Sequence, residues 1–138
     1  MERPIQPVVV PVVRLTLPRR QRISDPETLK VLRNEGKVLR FQMLRVAFKC
    51  NNQTHPRLGI TISKRWVKRA VDRNAMRRWI RESFRQQQAQ LGAVDILVNL
   101  HANVANKEGE ATQHALRRVL DEAWVKLRRF ASRSGTSA

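Results

Sequence analysis

Nine of the chain's 28 Lys and Arg residues fall between Lys64 and Arg85, in a stretch reading KRWVKRAVDRNAMRRWIRESFR. Only Asp72 and Glu82 oppose them there. Guanidinium forks make two-point contacts with phosphate oxygens and stack on bases, so this stretch offers recognition of a polyanion and no bond-making group. Arginine outnumbers lysine 21 to 7 over the whole chain, which favours structured nucleic-acid contact over a merely soluble basic surface. A formal charge of +17 on 138 residues repels itself until something negative neutralises it.

The spacing predicts a helix over this stretch. At about 100° per residue, Met76, Ile80, Phe84 and then Leu91 share one stripe, while Asn74, Arg77, Arg78, Arg81 and Arg85 gather opposite. One flank suits a core and the other suits phosphates. A solvated charged face is the blander reading, but with so few acids interleaved the nucleic-acid reading is the stronger. Arg73 projects onto the apolar stripe, which leaves two roles for it, an RNA contact or a structural bond to a carbonyl. Asn74 is either a surface amide or a sugar or phosphate contact. Glu82 is placed to pair with Arg78 and Arg85 and so to position them. Asp72 suits the positive end of the helix dipole. Trp66, Trp79 and Trp124 read as packing residues, with Trp66, beside Lys64 and Arg65, having the best claim to a base platform.

Independent catalysis is hard to assemble from the rest. His55, His101 and His114 lack metal-ligand spacing, and the five glycines form neither a phosphate loop nor a dinucleotide fingerprint. The acids are scattered singly, unlike the clusters that two-metal nucleases need. The isolated polypeptide is therefore expected to hydrolyse nothing. Cys50, the lone cysteine, cannot form an internal disulfide, which fits a reducing cytoplasm, and reads as a small hydrophobe near a strand end. The opening MERPIQPVVVPVV is cut by Pro7 and Pro11 and lacks a small-residue cleavage site, so it is not read as an export signal. No stretch approaches the ~20 apolar residues of a membrane span.

The elements around the basic stretch follow from pattern. Residues 1–13 form a Pro-interrupted arm, 14–131 a single domain, and 132–138 a frayed tail. Ser24-Asp25-Pro26 opens a short helix that runs to Glu35 and stops at Gly36. Residues 38–49 alternate as one strand, with Leu44, Val46 and Phe48 on one side and Phe41, Arg45 and Lys49 on the other. Asn51-Asn52-Gln53 marks a turn. A second strand carries Leu58, Ile60 and Ile62 against Arg57, Gly59, Thr61 and Ser63, and runs directly into the basic helix. Gly92 ends that helix, and Val94, Ile96, Val98 and Leu100 mark a further strand. The closing helix, about Gly109 to Phe130, carries Leu116, Val119, Leu120, Ala123, Leu127 and Phe130 inward, and Arg118, Glu122 and Lys126 outward.

Strand, basic helix, strand, helix implies an α/β chain of the α+β two-layer sandwich type, with a small, mostly antiparallel sheet of three to four strands and three helices. One sheet face buries against helices. The other offers Phe41, Arg45, Lys49, Arg57 and Thr61, a mixture suited to an extended single strand held by phosphate contacts and a stacked base.

The run RLGITISKRWVKRAVDRNAMRRWIRESFR, followed by VDILV, resembles the signature of the protein subunit of bacterial ribonuclease P. The upstream LPRRQRISDPETLKVLRNEG resembles that family's first helix and its approach, so the likeness spans roughly residues 14–130. It implies that Lys64, Arg65, Lys68, Arg69, Arg73, Asn74, Arg77, Arg78, Arg81 and Arg85 line a surface docked on the catalytic ribonuclease P RNA. It implies hydrolysis of the bond joining a precursor tRNA's 5′ leader to its mature end, with the catalytic groups and the Mg²⁺ ions on the RNA and no cofactor on the protein alone. It implies one protein per RNA, and a left-handed β-α-β crossover around the basic helix, against the usual hand. A leader-binding cleft would hold Leu29, Phe41, Arg45, Phe48 and Arg57. Two departures stand out. The family's Arg-Asn-Arg is here Arg73-Asn74-Ala75, and Leu29 stands where the first helix usually carries a Phe, so stacking on the leader would pass to Phe41 or Phe48.

Two rivals remain at this level, a ribosomal or RNA-chaperone module unconnected with cleavage, and a duplex-DNA binder with its basic helix in the major groove. The helix carries few Asn or Gln side chains among its arginines to read base edges, and no dimer-forming stripe is evident, which disfavours the second.

Overall fold

Asp25 caps the first α-helix: its Oδ2 accepts from the Thr28 N–H at 2.9 Å and Pro26 supplies a preset first turn, so α1 spans Pro26–Glu35. The two hydrogen bonds from Thr28 hold the Asp25 carboxyl below its ordinary range. The Gly36 N–H closes the helix on Leu32 O at 3.1 Å. The structure, a computed structural model, describes residues 17–100 and 109–137, with side chains over 17–100 and 112–130. The arm read over residues 1–13, and His101, lie outside the described residues.

The alternating stretch after Gly36 is a hairpin and not one strand. β1 spans Lys37–Arg40 and β2 spans Leu44–Cys50, paired antiparallel with Arg40 opposite Arg45. Phe41 N–H bonds Leu44 O at 2.8 Å across the turn. The turn residues reset the alternation, so Phe41 does not share a face with Arg45. Cys50 ends β2 and is exposed.

β3 spans Arg57–Ile62 and β4 spans Val94–Leu100, and the sheet order is β1-β2-β4-β3. Two of its three pairings are antiparallel, while β3 and β4 run parallel with Gly59 opposite Leu97. A parallel neighbour needs a crossover, supplied by α2, Ala70–Leu91. Gly92 ends α2 with φ 77°, a conformation open to glycine at little cost. α3 spans Gly109–Ser137. It runs past Phe130 through residues read as a frayed tail, in a stretch that contains no proline.

β4 is apolar along one whole face, Val94, Ile96, Val98 and Leu100, and at Leu97 alone on the other, between Asp95 and Asn99. On one face Leu44, Val46, Phe48, Ile96, Val98 and Leu100 meet Met76, Ile80, Phe84 and Leu91 of α2 and Leu116, Leu120, Trp124 and Leu127 of α3. Full burial of a ring such as Phe84 contributes about 2–3 kcal/mol. On the other face Ile23, Leu32, Ala47 and Leu97 form a small second core under α1, with Leu29 packed against it.

Gly59 permits that second layer. A Cβ there would meet Leu29 Cδ2 at 2.8 Å and Ile23 O at 3.2 Å. Gly59→Ala is expected to push α1 off the sheet and to lower stability by about 1–3 kcal/mol, the usual cost of overpacking. Urea unfolding measures this, and pairing the change with Leu29→Ala should return part of the loss.

Candidate nucleic-acid interface

The basic stretch is two structures and not one helix. Ser63 O accepts from the N–H groups of Trp66 and Val67 at 3.1 and 3.0 Å, and Ser63 Oγ accepts from Arg65 N–H at 3.0 Å. Val67 is fully buried and anchors this turn. Lys64, Arg65, Lys68 and Arg69 therefore stand exposed on a loop ahead of α2, which begins only at Ala70. The helical periodicity seen over residues 64–69 was overridden by Ser63 capping and the burial of Val67. Arg65 lies over the Trp66 ring, 5.4 Å from its centroid. Trp66 itself is half-buried against the main core.

Arg73 takes the structural role. Its Nη1 donates to Val67 O at 2.9 Å and Lys68 O at 2.8 Å, tying the first turn of α2 to the loop that carries the exposed cations. Asp72 in the first helical turn lies 3.7 Å from Arg69, beside the unpaired N–H groups of the helix start.

Along α2, Arg77, Arg81 and Arg85 follow one another at single-turn spacing, each half-buried, with Asn74 and Arg78 exposed beside them. Glu82 does not pair with Arg78 or Arg85 among the described residues. It lines the groove between α2 and α3 with Arg117 and Arg128. Burial first, and then the positive charges of Arg22 and Arg77, depress the Arg81 guanidinium below its ordinary range. It stays protonated regardless, since arginine does not lose its proton in proteins. Arg85 Nε is buried with no hydrogen-bond partner. The strip is thus a set of partly desolvated cations that an anion would relieve. Arg22 was not legible in the sequence, because it reaches the strip from the segment ahead of α1.

The second sheet face carries three cross-strand rows. Lys49, Asp95 and Arg57 form the first, Ala47, Leu97 and Gly59 the second, and Arg40, Arg45, Asn99 and Thr61 the third. In the first row Arg57 grips Asp95 with two bonds, Nε to Oδ1 at 2.8 Å and Nη2 to Oδ2 at 2.6 Å. Asn51 also donates to Asp95 Oδ1, at 2.7 Å. The second row lies beneath α1. In the third row Arg40 and Arg45 are exposed directly opposite each other, an arrangement that costs stability unless an anion sits between them.

Of the residues read as a cleft, only Arg45 presents itself freely on this open row. Leu29 packs on the second core, and Arg57 is held by Asp95. Phe48 lies in the main core on the opposite face, its ring 5.1 Å from that of Phe130. Phe41 is also packed against that core, beneath the Lys126 ammonium of α3 at 5.3 Å. Neither ring reaches the row that holds Arg45. Asn99 and Thr61 were the members that sequence reading left unassigned or undervalued, and the period-2 alternation of β3 and β4 was the signal for them.

The remaining tryptophans pack. Trp124 is buried and donates Nε1–H to Ser83 Oγ at 2.7 Å, joining α3 to α2. Trp79 is half-buried over the same groove. Among the described residues no three His, Cys, Asp or Glu side chains come together as metal ligands.

The fold and its arginine strip define a small basic α+β protein shaped to hold a polyanion. A family model described as Ribonuclease P matches residues 17–124. A ribonuclease P protein component of Methylococcus capsulatus is 33% identical over 136 residues, covering 99% of each chain. The corresponding component of Proteus mirabilis is 34% identical over 123 residues, covering 89% of this chain and all of its own. The solved RNase P protein of Thermotoga maritima superposes with a TM-score of 0.67 at 26% identity, covering 80% of this chain and 97% of that one. That of Staphylococcus aureus gives 0.63 at 30% identity, covering 75% and 94%. The chain belongs to the ribonuclease P protein family, the protein component of an endoribonuclease of tRNA processing.

Arg73→Ala removes both carbonyl contacts and should lower stability by about 1–2 kcal/mol, given that hydrogen bonds from charged donors are worth somewhat more than neutral ones. A thermal melt checks it.

Proposed function

We propose that the α2 strip and the Lys64–Arg69 loop dock on ribonuclease P RNA, and that the open third row of the sheet receives the 5′ leader of precursor tRNA. The observation that carries this reading is the strip itself, in which Arg77, Arg81 and Arg85 are half-buried and no acid among the described ion pairs neutralises them. Asn74 and Arg78 flank it, and the loop extends it toward the end of β3. Arg73 contributes by holding that loop.

On the leader side, Arg40 and Arg45 would take phosphates, and Asn99 and Thr61 would bond sugar or base edges. Without Phe41 or Phe48 on this face, leader binding rests on charge and hydrogen bonds and not on stacking, which predicts little preference among leader sequences. Catalysis belongs to the RNA in this reading. The Mg²⁺ ions sit among RNA phosphates in this reading, and one protein serves one RNA in the cytoplasm. The chain neutralises phosphates that would otherwise repel one another as RNA and leader approach.

Adding the chain to a bacterial ribonuclease P RNA should raise leader removal at low Mg²⁺ well above the rise given by an unrelated protein of equal charge. Equal stimulation by the two would overturn the reading. Binding should weaken with salt along a log–log slope near about −5 if ~6 phosphates are neutralised. Arg77→Ala with Arg81→Ala should flatten that slope by about 2, and an unchanged slope would mean that the strip faces away from the RNA.

A further inference from the structure

Three polar residues are buried among the described residues, Gln21, Asp95 and Thr112. Asp95 is used by Arg57 and Asn51 within the sheet. Gln21 is different because it works between elements. It sits in a single 3-10 turn, Arg19–Gln21, at 6% exposure, and its Nε2 donates to Gln88 Oε1 on α2 and lies 3.5 Å from Pro56 O. A buried amide is costly unless its hydrogen bonds are made, so these contacts fix where the turn can sit. Just beyond it the chain is fixed a second time: Arg22 bridges to Leu58 in parallel register, and the Ile23 N–H bonds Leu58 O at 2.8 Å.

Arg22 is the residue trapped between these two fastenings. Its backbone is held along the edge of β3 beside α2, while its side chain remains exposed. Gln88 lies two helical turns beyond Arg81 on the same side of α2, so the fastening brings Arg22 to the side of the helix that Arg77 and Arg81 occupy. Arg81 feels the positive charge of both Arg22 and Arg77. Three guanidinium groups on one side of α2, with no acid among the described ion pairs, are unfavourable in the free protein, and a backbone phosphate, whose single negative charge is spread over two non-bridging acceptor oxygens, offsets their repulsion.

We propose that Arg22, Arg77 and Arg81 form one site for a single RNA backbone phosphate, and that Gln21 is the positioning residue that holds Arg22 in it. The proposal rests on the reading that ribonuclease P RNA is the partner, and it adds a residue from outside the basic stretch. The site explains why a glutamine is buried at a position that an apolar side chain would fill more cheaply. Its amide fixes the orientation of the segment as well as its depth.

The test uses the full chain and a ribonuclease P RNA transcript as the probe, with binding followed by fluorescence anisotropy and folding by thermal melts. Arg22→Ala should weaken binding about tenfold, the order expected for one charge-assisted contact. In an Arg81→Gln background the same change should cost less than about twofold, because the shared phosphate is already poorly held. Gln21→Ala should weaken binding about threefold in the native chain and leave it unmoved in an Arg22→Ala background, whereas a merely structural glutamine would cost the same in both. Additive losses for Arg22 and Arg81 would assign them to separate phosphates and overturn the shared site. Tight binding by the native chain, unmoved by Arg22→Ala, would overturn this site alone. Native binding no tighter than that of an unrelated protein of equal charge would overturn the ribonuclease P RNA reading and this site with it.

Discussion

Everything else in the molecule follows from the need to cover β4 on both sides. Val94, Ile96, Val98 and Leu100 face one way and Leu97 the other, all nearly or fully buried. A strand buried along its whole first face and at Leu97 on its second sits inside the sheet, because an edge place or a single layer would leave that apolar surface in water. It takes β2 and β3 as neighbours, α2 and α3 on one face and α1 on the other. The asymmetry of that covering is functional. Two helices seal the first face completely, whereas α1 spans only Pro26–Glu35 and seals the middle of the second, leaving the Arg40, Arg45, Asn99 and Thr61 row open.

Covering β4 also decides where the charge goes. Once Met76, Ile80, Phe84 and Leu91 are committed to the core, the rotation of α2 is set, and Arg77, Arg81 and Arg85 must emerge toward the β3 edge. Packing energy of several apolar side chains, each worth about 2–3 kcal/mol when buried, outweighs the mutual repulsion of arginines that remain partly hydrated. The repulsion is nevertheless retained, because the acids that could relieve it point elsewhere. Asp95 is taken by Arg57, Glu35 pairs with Lys49, Asp72 with Arg69, and Glu82 turns toward α3. The free protein therefore keeps an unneutralised strip, and that is the state in which a polyanion binds most favourably.

Much of this was legible in the linear sequence wherever the determining forces are local. Asp25, Pro26 and Gly36 bracket α1 as capping chemistry requires. The alternation of β3 and β4, the apolar stripe of α2 and its stop at Gly92 all appear where the periods put them. The errors arose where a local period was interrupted by a contact from elsewhere. A hairpin turn split the strand read over 38–49 and moved Phe41 to the opposite face, and burial of Val67 converted the first turns of the supposed basic helix into a loop.

The sequence alone determined that the protein is basic, that its middle helix has one apolar and one cationic flank, and that it is similar to a ribonuclease P protein over most of its length. Those properties belong to residue types and spacings, which survive in the unfolded chain. Only the tertiary structure decided which cations share a site. Arg22 and Arg81 lie far apart along the chain, and Arg40 meets Arg45 through a hairpin register, so neither grouping exists until the sheet closes and α2 docks on it. Proximity between distant residues is a consequence of packing, and packing is the cooperative outcome of the whole core rather than of any one segment.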